Sequence, residues 1–261
     1  MYTLITGASR GLGAAFARHL AATGRPLILV ARDLERLEAL RAEIATHPAA
    51  DIQLIRMDLT QPDAAQALHD TCRRQGWTVS QLINNAGFGR FGDFLAHPVS
   101  DYDHMIRLNA TLPVELTHRF LPELVLQPGA SLINVASMAG FQPTPYLAVY
   151  GATKAFVIAF SQALAAEYAG AGLRVLTLCP GATRTEFFHA AGQGELLTSA
   201  SMALQSADAV VDCALAALNQ GAGLVVPGWK NRLMAGMVKW VPQRWSLPLS
   251  ARVMRRWLTP P

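Results

Sequence analysis

Two residue types that trade protons, a tyrosine and a lysine, stand four residues apart in the stretch SMAGFQPTPYLAVYGATK, which runs from Ser137 to Lys154. On a helix that spacing puts Tyr150 and Lys154 on one face. A lysine cation beside a phenol favours the phenolate, so it is expected to lower a tyrosine pKa of about 10 towards neutrality, where a proton donor or acceptor works best. Ser137 lies thirteen residues before Tyr150, just past the run Leu132 to Val135, where its hydroxyl could hold a substrate oxygen beside the phenol. An isolated Tyr-x-x-x-Lys pair is common by chance, and a half-exposed tyrosine next to a solvated lysine would read the same way. The surrounding chain has to decide.

A second chemistry, phosphate binding, is written at the start of the chain. The apolar run Tyr2 to Ile5 leads into Thr6-Gly-Ala-Ser-Arg-Gly-Leu-Gly13 and then the helical run Ala14 to Ala22. A strand, a glycine turn and a helix start make an anion cradle, because backbone N–H groups and the helix dipole point at the phosphate. Gly7, Gly11 and Gly13 let the backbone approach, although their G-x-x-x-G-x-G spacing differs from the general dinucleotide fingerprint G-x-G-x-x-G. An ordinary glycine-rich turn is the competing reading. The second strand, Pro26 to Ala31, should end at the adenosine ribose. An acid there would bond the 2′-hydroxyl of NAD, whereas an arginine would accommodate the 2′-phosphate of NADP. Ala31 and Arg32 occupy that end, so Arg32, assisted by Arg10 of the glycine loop, is expected to clamp a 2′-phosphate. Asp33 is expected to cap the next helix.

Further candidates fall at strand ends. Asp58 closes the third strand, Ile52 to Met57, with its carboxylate placed for an adenine amino group. Asn84-Asn85-Ala86-Gly87 follows the fourth, Val79 to Ile83, and its small residues would let a flat ring pack on the backbone; a surface turn has the same composition. Pro180-Gly181-x-Thr183 follows the sixth, Leu173 to Leu178. The fifth is Ala130 to Val135 and the last Leu224 to Pro227. Between them, helices are expected over Asp33 to Ala45, Pro62 to Arg74, Val99 to Leu126, from Tyr150 through Tyr168, and over Ala207 to Asn219. Asn109 sits inside the long Val99 to Leu126 region. A mid-helix asparagine usually faces solvent; a functional one would disturb a backbone hydrogen bond and hold a water. The Tyr150 helix is apolar on more than one side, as expected of a buried helix or a subunit interface. Glu186 to Gln205, which includes Phe187, Phe188, His189 and Gly192, has no clear period and reads as a lid over the substrate.

Composition bounds these readings. The 261 residues are 51% hydrophobic and 15% charged, which suits one α/β domain with a sheet covered on both faces and argues against disorder. The first strand begins almost at Met1, leaving no room for a signal peptide, and no run approaches the roughly 18 uninterrupted apolar residues of a membrane span. Cys72, Cys179 and Cys213 are far apart and form no metal-type pair, so a reduced, cytoplasmic setting is expected.

Six landmarks in one order, Thr6-Gly7-Ala-Ser-Arg-Gly11-Leu-Gly13, Asp58, Asn84-Asn85-Ala86-Gly87, Asn109, Ser137 with Tyr150-x-x-x-Lys154, and Pro180-Gly181-x-Thr183, resemble the short-chain dehydrogenase/reductase family over roughly residues 1 to 227. The resemblance implies a Rossmann-like three-layer α/β/α sandwich with a parallel sheet of about seven strands. It implies that Tyr150 is general acid in reduction and general base in oxidation, that Lys154 bonds the nicotinamide ribose, and that Ser137 positions the substrate oxygen. Asn109 would hold a water in a proton relay, and Thr183 with the backbone after Pro180-Gly181 would hold the carboxamide. The implied cofactor set comprises Gly7, Ser9, Arg10, Gly11, Leu12, Gly13, Arg32, Asp58, Leu59, Asn85, Ala86, Gly87, Tyr150, Lys154, Pro180, Gly181 and Thr183. The Ala31-Arg32 strand end resembles the NADP-preferring type, so NADP(H) is expected over NAD(H). Metal-free hydride transfer between NADP(H) and a carbonyl or secondary alcohol follows. Phe88, Met138, Phe141, Phe187 and Phe188 near the inferred cleft suggest an apolar substrate. Homo-oligomers, dimers or tetramers, are usual in such families. A cofactor-sensing or scaffold protein without turnover is the alternative that the intact Asn109, Ser137, Tyr150 and Lys154 set argues against.

Residues 228 to 261 depart from this core. They hold four of the five tryptophans and seven cations with no acid, so the other residues carry 15 basic against 18 acidic groups. This basic, tryptophan-rich extension could meet an anionic lipid surface peripherally, with tryptophan at headgroup depth and cations on phosphate. The alternative is that it covers the substrate cleft or a neighbouring subunit. No recognised nucleic-acid module accompanies the charge.

Overall fold

The computed structural model describes residues 1–45, 51–187, 204–238 and 240–255. The stretch read as a lid therefore lies, apart from its two ends, outside the described residues, as do Phe188, Lys239, Arg256 and Trp257. Seven parallel strands form one sheet in the order β3-β2-β1-β4-β5-β6-β7. They are β1 (Tyr2–Thr6), β2 (Leu27–Ala31), β3 (Ile52–Arg56), β4 (Val79–Asn84), β5 (Ser131–Val135), β6 (Arg174–Leu178) and β7 (Leu224–Val225). All five residues of β2 and of β5 are buried, as expected of parallel strands covered on both faces. On one face lie α1 (Gly11–Ala21), α2 (Leu34–Ile44) and α7 (Ala207–Asn219), packed through Phe16, Leu37 and Val211. On the other lie α3 (Ala64–Arg74), α5 (Leu112–Leu124) and α6 (Ala148–Glu167), packed through Leu68, Phe120 and Leu164. The sandwich and strand count expected from the sequence are present. The order reverses between β1 and β4, and a crevice outside the carboxyl ends of strands at such a switch point is where α/β sheets bind ligands.

The start of α2 follows its capping chemistry. Asp33 accepts a hydrogen bond from the Arg36 backbone N–H at 3.0 Å and starts α2, as its residue type predicts. The expected Val99 to Leu126 helix is instead two helices, α4 (Val99–Ile106) and α5, joined by a π turn over Arg107–Thr111. Apolar spacing continues through the turn, which is why the sequence reads as unbroken.

A buried polar row ties the sheet to α6. Asn84 pairs in register with Asn134, and Asn134 with Thr177. The Asn84 amide donates to Asn134 Oδ1 at 2.9 Å, the Asn134 amide to Ser161 Oγ at 2.8 Å, and Ser161 Oγ to the Val157 carbonyl at 2.7 Å. Asn84 Oδ1 and Thr177 Oγ1 are left without a partner among the described residues, but the chain of donations from Asn84 through Asn134 and Ser161 to the α6 backbone ties the helix to the sheet at one depth. By length and mean hydropathy of 1.2, α6 alone among the described residues could cross a membrane, but it carries Lys154 and Ser161 and packs against the sheet as a core helix.

The basic extension folds into α8 (Trp229–Val238) and α9 (Gln243–Arg255). Ala235 anchors α8 in a cluster with Val157, Cys179 and Val226. The Arg255 guanidinium, at the end of α9, donates to the Tyr146 hydroxyl at 2.8 Å. The two helices therefore sit on the open end of the sheet.

Candidate active site

Tyr150 and Lys154 lie in the first turns of α6 on its buried face, 8% and 5% exposed. Gly140 makes that position reachable: a Cβ there would stand 2.7 Å from the Lys154 carbonyl carbon and 2.8 Å from the Ala155 nitrogen. The short 3₁₀ turn Met138–Gly140 thus packs directly on the α6 backbone. Ser137 caps this turn, accepting from the Ala139 N–H at 3.1 Å, and Met138 N–H donates to the Pro180 carbonyl at 2.9 Å, joining the serine loop to the Pro180-Gly181 turn.

The electrostatics correct one sequence expectation. Burial pushes the Tyr150 phenol up to about 12, with hydrogen bonding to Ser137 acting the other way. Burial also drops Lys154 to about 8, partly offset by the neighbouring Cys179. The expected lowering of the tyrosine by its lysine is absent because desolvation disfavours both charged forms. Lys154 Nζ sits 5.7 Å from the Tyr150 ring centroid and donates to the Val135 carbonyl at 2.8 Å. At neutral pH the phenol is a held proton donor.

Asn109 sits inside the helical region, as its position in the sequence predicts. It falls where the backbone departs from α-helix, in the π turn, as its mid-helix position suggested. Its side chain, however, is committed: the amide donates to the Phe88 carbonyl at 2.8 Å and Thr153 Oγ1 at 3.2 Å, and Oδ1 accepts from the Phe88 N–H at 3.1 Å. Those bonds use both amide protons, so the carboxamide clamps the chain after Gly87 to α6 from behind the cleft wall. A Cβ on Gly87 would stand 2.9 Å from Asn109 Oδ1 and 3.5 Å from Lys154 Nζ, which explains the glycine there.

The remaining predicted residues line a single cleft of about 1470 Å³: Gly7, Ser9, Arg10, Gly11, Leu12, Arg32, Asp58, Leu59, Asn85, Ala86, Gly87, Pro180, Gly181 and Thr183, together with Ser137, Tyr150 and Lys154. Gly13 does not line it; a Cβ on Gly13 would collide with the Gly7 carbonyl, so its role is close helix-to-loop packing. Gly7 and Gly11 adopt φ of +65° and +56°, which glycine reaches without strain. Asn85 uses its amide on the loop, donating to the Thr6 and Gly7 carbonyls at 2.8 and 3.2 Å. Asp58 loses some solvation, but bonds from the Thr60 N–H and hydroxyl and from Gln61 hold its carboxyl below its ordinary range. These glycine approaches, the helix N-terminus and the acid at the next strand end fit a dinucleotide.

Several functional neighbours carry no sequence signal. Arg36 joins Arg10 and Arg32 at the outer end of the cleft. Asn231 of α8 lies against Gly181 and donates to Gln205 Oε1 at 3.1 Å and the Pro227 carbonyl at 3.0 Å. Met234, Met237, Val241, Trp245, Leu249 and Val253 of the extension line the cleft together with Phe88, Met138, Phe141 and Phe187. Of the three uses expected for the extension (a lipid surface, the cleft or a neighbouring subunit), covering the cleft is present in the structure. The Phe187 ring packs against Tyr150 with centroids 5.3 Å apart and planes tilted by 49°.

The family model for short chain dehydrogenases matches residues 2–196. Sulfoacetaldehyde reductase of Chromohalobacter salexigens is 40% identical over 185 residues, covering 70% of this chain and 72% of that protein. A short-chain dehydrogenase from Sphingobium yanoikuyae in complex with NADPH has 33% identity and a TM-score of 0.81, with 96% of this chain and 93% of that one covered. The bulky-bulky ketone specific alcohol dehydrogenase from Comamonas testosteroni has 31% identity and a TM-score of 0.77, with 96% and 91% covered. Fold, cleft and relatives agree: the chain belongs to the short-chain dehydrogenase family of oxidoreductases, which act on carbonyl and alcohol groups.

Proposed function

We propose that this protein is an NADP(H)-linked carbonyl reductase, working in reverse as an alcohol dehydrogenase, on apolar ketones, aldehydes or secondary alcohols. The observation that carries this reading is the convergence of Ser137, Tyr150 and Lys154 with the glycine loop in one cleft. Similar structures support the cofactor and the bulky substrate, one being an NADPH complex and another a bulky-bulky ketone enzyme.

The nicotinamide, when bound, supplies the hydride. The chain's own part is proton handling and alignment. Ser137 and Tyr150 offer two hydroxyls to one substrate oxygen. Tyr150 gives its proton to that oxygen in reduction and takes it back in oxidation. Lys154 keeps two ammonium protons beyond its bond to Val135, available to the ribose and to an ionised Tyr150. Phe88, Phe141, Phe187 and the methionines of α8 exclude water from the reacting oxygen. The direct test is absorbance at the NADPH band with a panel of ketones, aldehydes and alcohols, preceded by NADPH and NADH binding titrations. Turnover with tighter NADPH binding supports the reading; binding without turnover on any compound would favour a sensing or scaffold role.

Two finer readings rest on the surface. Among the described residues, nine of the sixteen exposed large hydrophobic residues belong to the extension; six of them line the cleft, whereas Trp229 at 67%, Leu233 at 57% and Trp240 at 87% do not. Cations surround them and acids are absent, which favours peripheral contact with an anionic lipid surface at the mouth of the cleft. Co-sedimentation with phosphatidylglycerol but not phosphatidylcholine vesicles, lost in Trp229→Ser/Trp240→Ser, would support it. On α6, Phe156 is 48% exposed and stacks on Phe160 at 6.2 Å. This apolar face beside the buried Tyr150 face suits a homo-oligomer, and sedimentation velocity of Phe156→Glu tests it.

A further inference from the structure

The outer end of the cleft holds an anion from the protein itself. Glu186 Oε2 accepts from Arg36 Nη1 at 2.7 Å and lies 3.5 Å from Arg10 Nη1. Arg10 belongs to the glycine loop and Arg36 to the first turn of α2, directly after the β2 end where Arg32 stands; all three line the cleft. Glu186 is 150 residues away from Arg36 in sequence. It is delivered by the segment that leaves the Pro180-Gly181 turn and passes over the glycine loop, where Thr185 Cβ would be 3.3 Å from a Cβ on Gly11. Its neighbour Phe187 lies on Tyr150. One short segment therefore spans the cleft from the phenol to the arginines.

A carboxylate on two guanidinium groups occupies the geometry a phosphate would take, and takes it with half the charge. The pair is weak where it stands, since the side chains of Arg10, Arg36 and Glu186 are 46–48% exposed and exposed pairs contribute little. We propose that Arg36, with Arg10 and Arg32, forms the 2′-phosphate clamp, and that Glu186 is an intramolecular competitor seated in it in the cofactor-free protein. NADPH then binds against Glu186, while NADH, which carries a 2′-hydroxyl, does not need the clamp. Glu186 sets the margin of cofactor preference, and Arg36 is a specificity-determining residue that strand-end patterns do not reveal.

This rests on the NADP(H) reading above. The test is equilibrium titration of the full-length protein with NADPH and with NADH, followed by quenching of tryptophan fluorescence. Glu186→Gln is expected to tighten NADPH by about two- to fivefold, the range an exposed ion pair supports, with NADH changed by less. In an Arg36→Ala background NADPH should be weaker than in wild type, and the gain from Glu186→Gln should vanish. Circular dichroism melts confirm that each variant is folded. Unchanged NADPH affinity in Glu186→Gln, or an equal change for both cofactors, overturns the competitor role while leaving the cofactor reading intact. Wild-type protein that prefers NADH, or binds neither, overturns both.

Discussion

At the Tyr150 end of the cleft, the titratable groups are buried and each is bonded to the protein. At the Arg36 end they are half exposed and bonded to one another. Burial moves Tyr150 to about 12 and Lys154 to about 8, whereas the Arg36–Glu186 pair sits in solvent, where screening leaves a small net energy. The difference separates two tasks. Proton transfer needs groups whose charge is controlled by a dry surrounding, and cofactor selection needs charges that can change partners at little cost.

The largest effect expected from breaking the dry end is in turnover. Tyr150→Phe removes the proton donor while keeping the ring against Phe187, so kcat should fall about 10²–10⁴-fold with NADPH affinity unchanged.

Lys154 offers a stability test. Its proton is released near pH 8 in the folded chain and at the ordinary value of 10.5 in the unfolded chain. Between those values the unfolded chain binds more protons, so stability rises with pH across that window. The cofactor-free wild type should therefore gain on the order of 3 kcal/mol relative to Lys154→Met between pH 8 and pH 10.5, read from urea unfolding at each pH. A constant difference between the two proteins would mean that Lys154 is not desolvated.

Asn109→Ala strands the Phe88 N–H and carbonyl, costing about 1–3 kcal/mol, and frees the chain carrying Gly87 to move; the measurement is the urea midpoint together with KM for NADPH. Gly140→Ala forces a methyl against the α6 backbone, costing about 1–3 kcal/mol, and should lower kcat by displacing Tyr150 rather than by altering its chemistry. At the wet end the effects are smaller. Raising salt should weaken NADPH binding more than NADH binding.

Much of this arrangement could be read from the chain, for reasons that are local. The glycine loop, the Asp33 cap and the Tyr150–Lys154 face are patterns within one or two turns, and their geometry follows from backbone stereochemistry. The π turn at Asn109 was hidden because the apolar spacing from Val99 to Leu126 runs straight through it. The direction of the Tyr150 shift is not legible in the sequence, because it depends on burial, a property of packing, whereas the sequence displays only the lysine. Arg36 and Glu186 are distant in the chain and share no motif. The extension presented cations and tryptophans, but that α8 and α9 wall the cleft depends on Ala235 and Asn231 contacts that composition does not carry.

The division between a chemical end and a selecting end is tested most directly by measuring NADPH Kd and kcat at saturating cofactor in parallel for Tyr150→Phe and Arg36→Ala. The account predicts opposite losses: kcat collapses in Tyr150→Phe with Kd within about twofold of wild type, and Kd rises in Arg36→Ala with kcat nearly preserved. A folded Arg36→Ala protein that keeps wild-type NADPH affinity, or a Tyr150→Phe protein that keeps turning over, would contradict it.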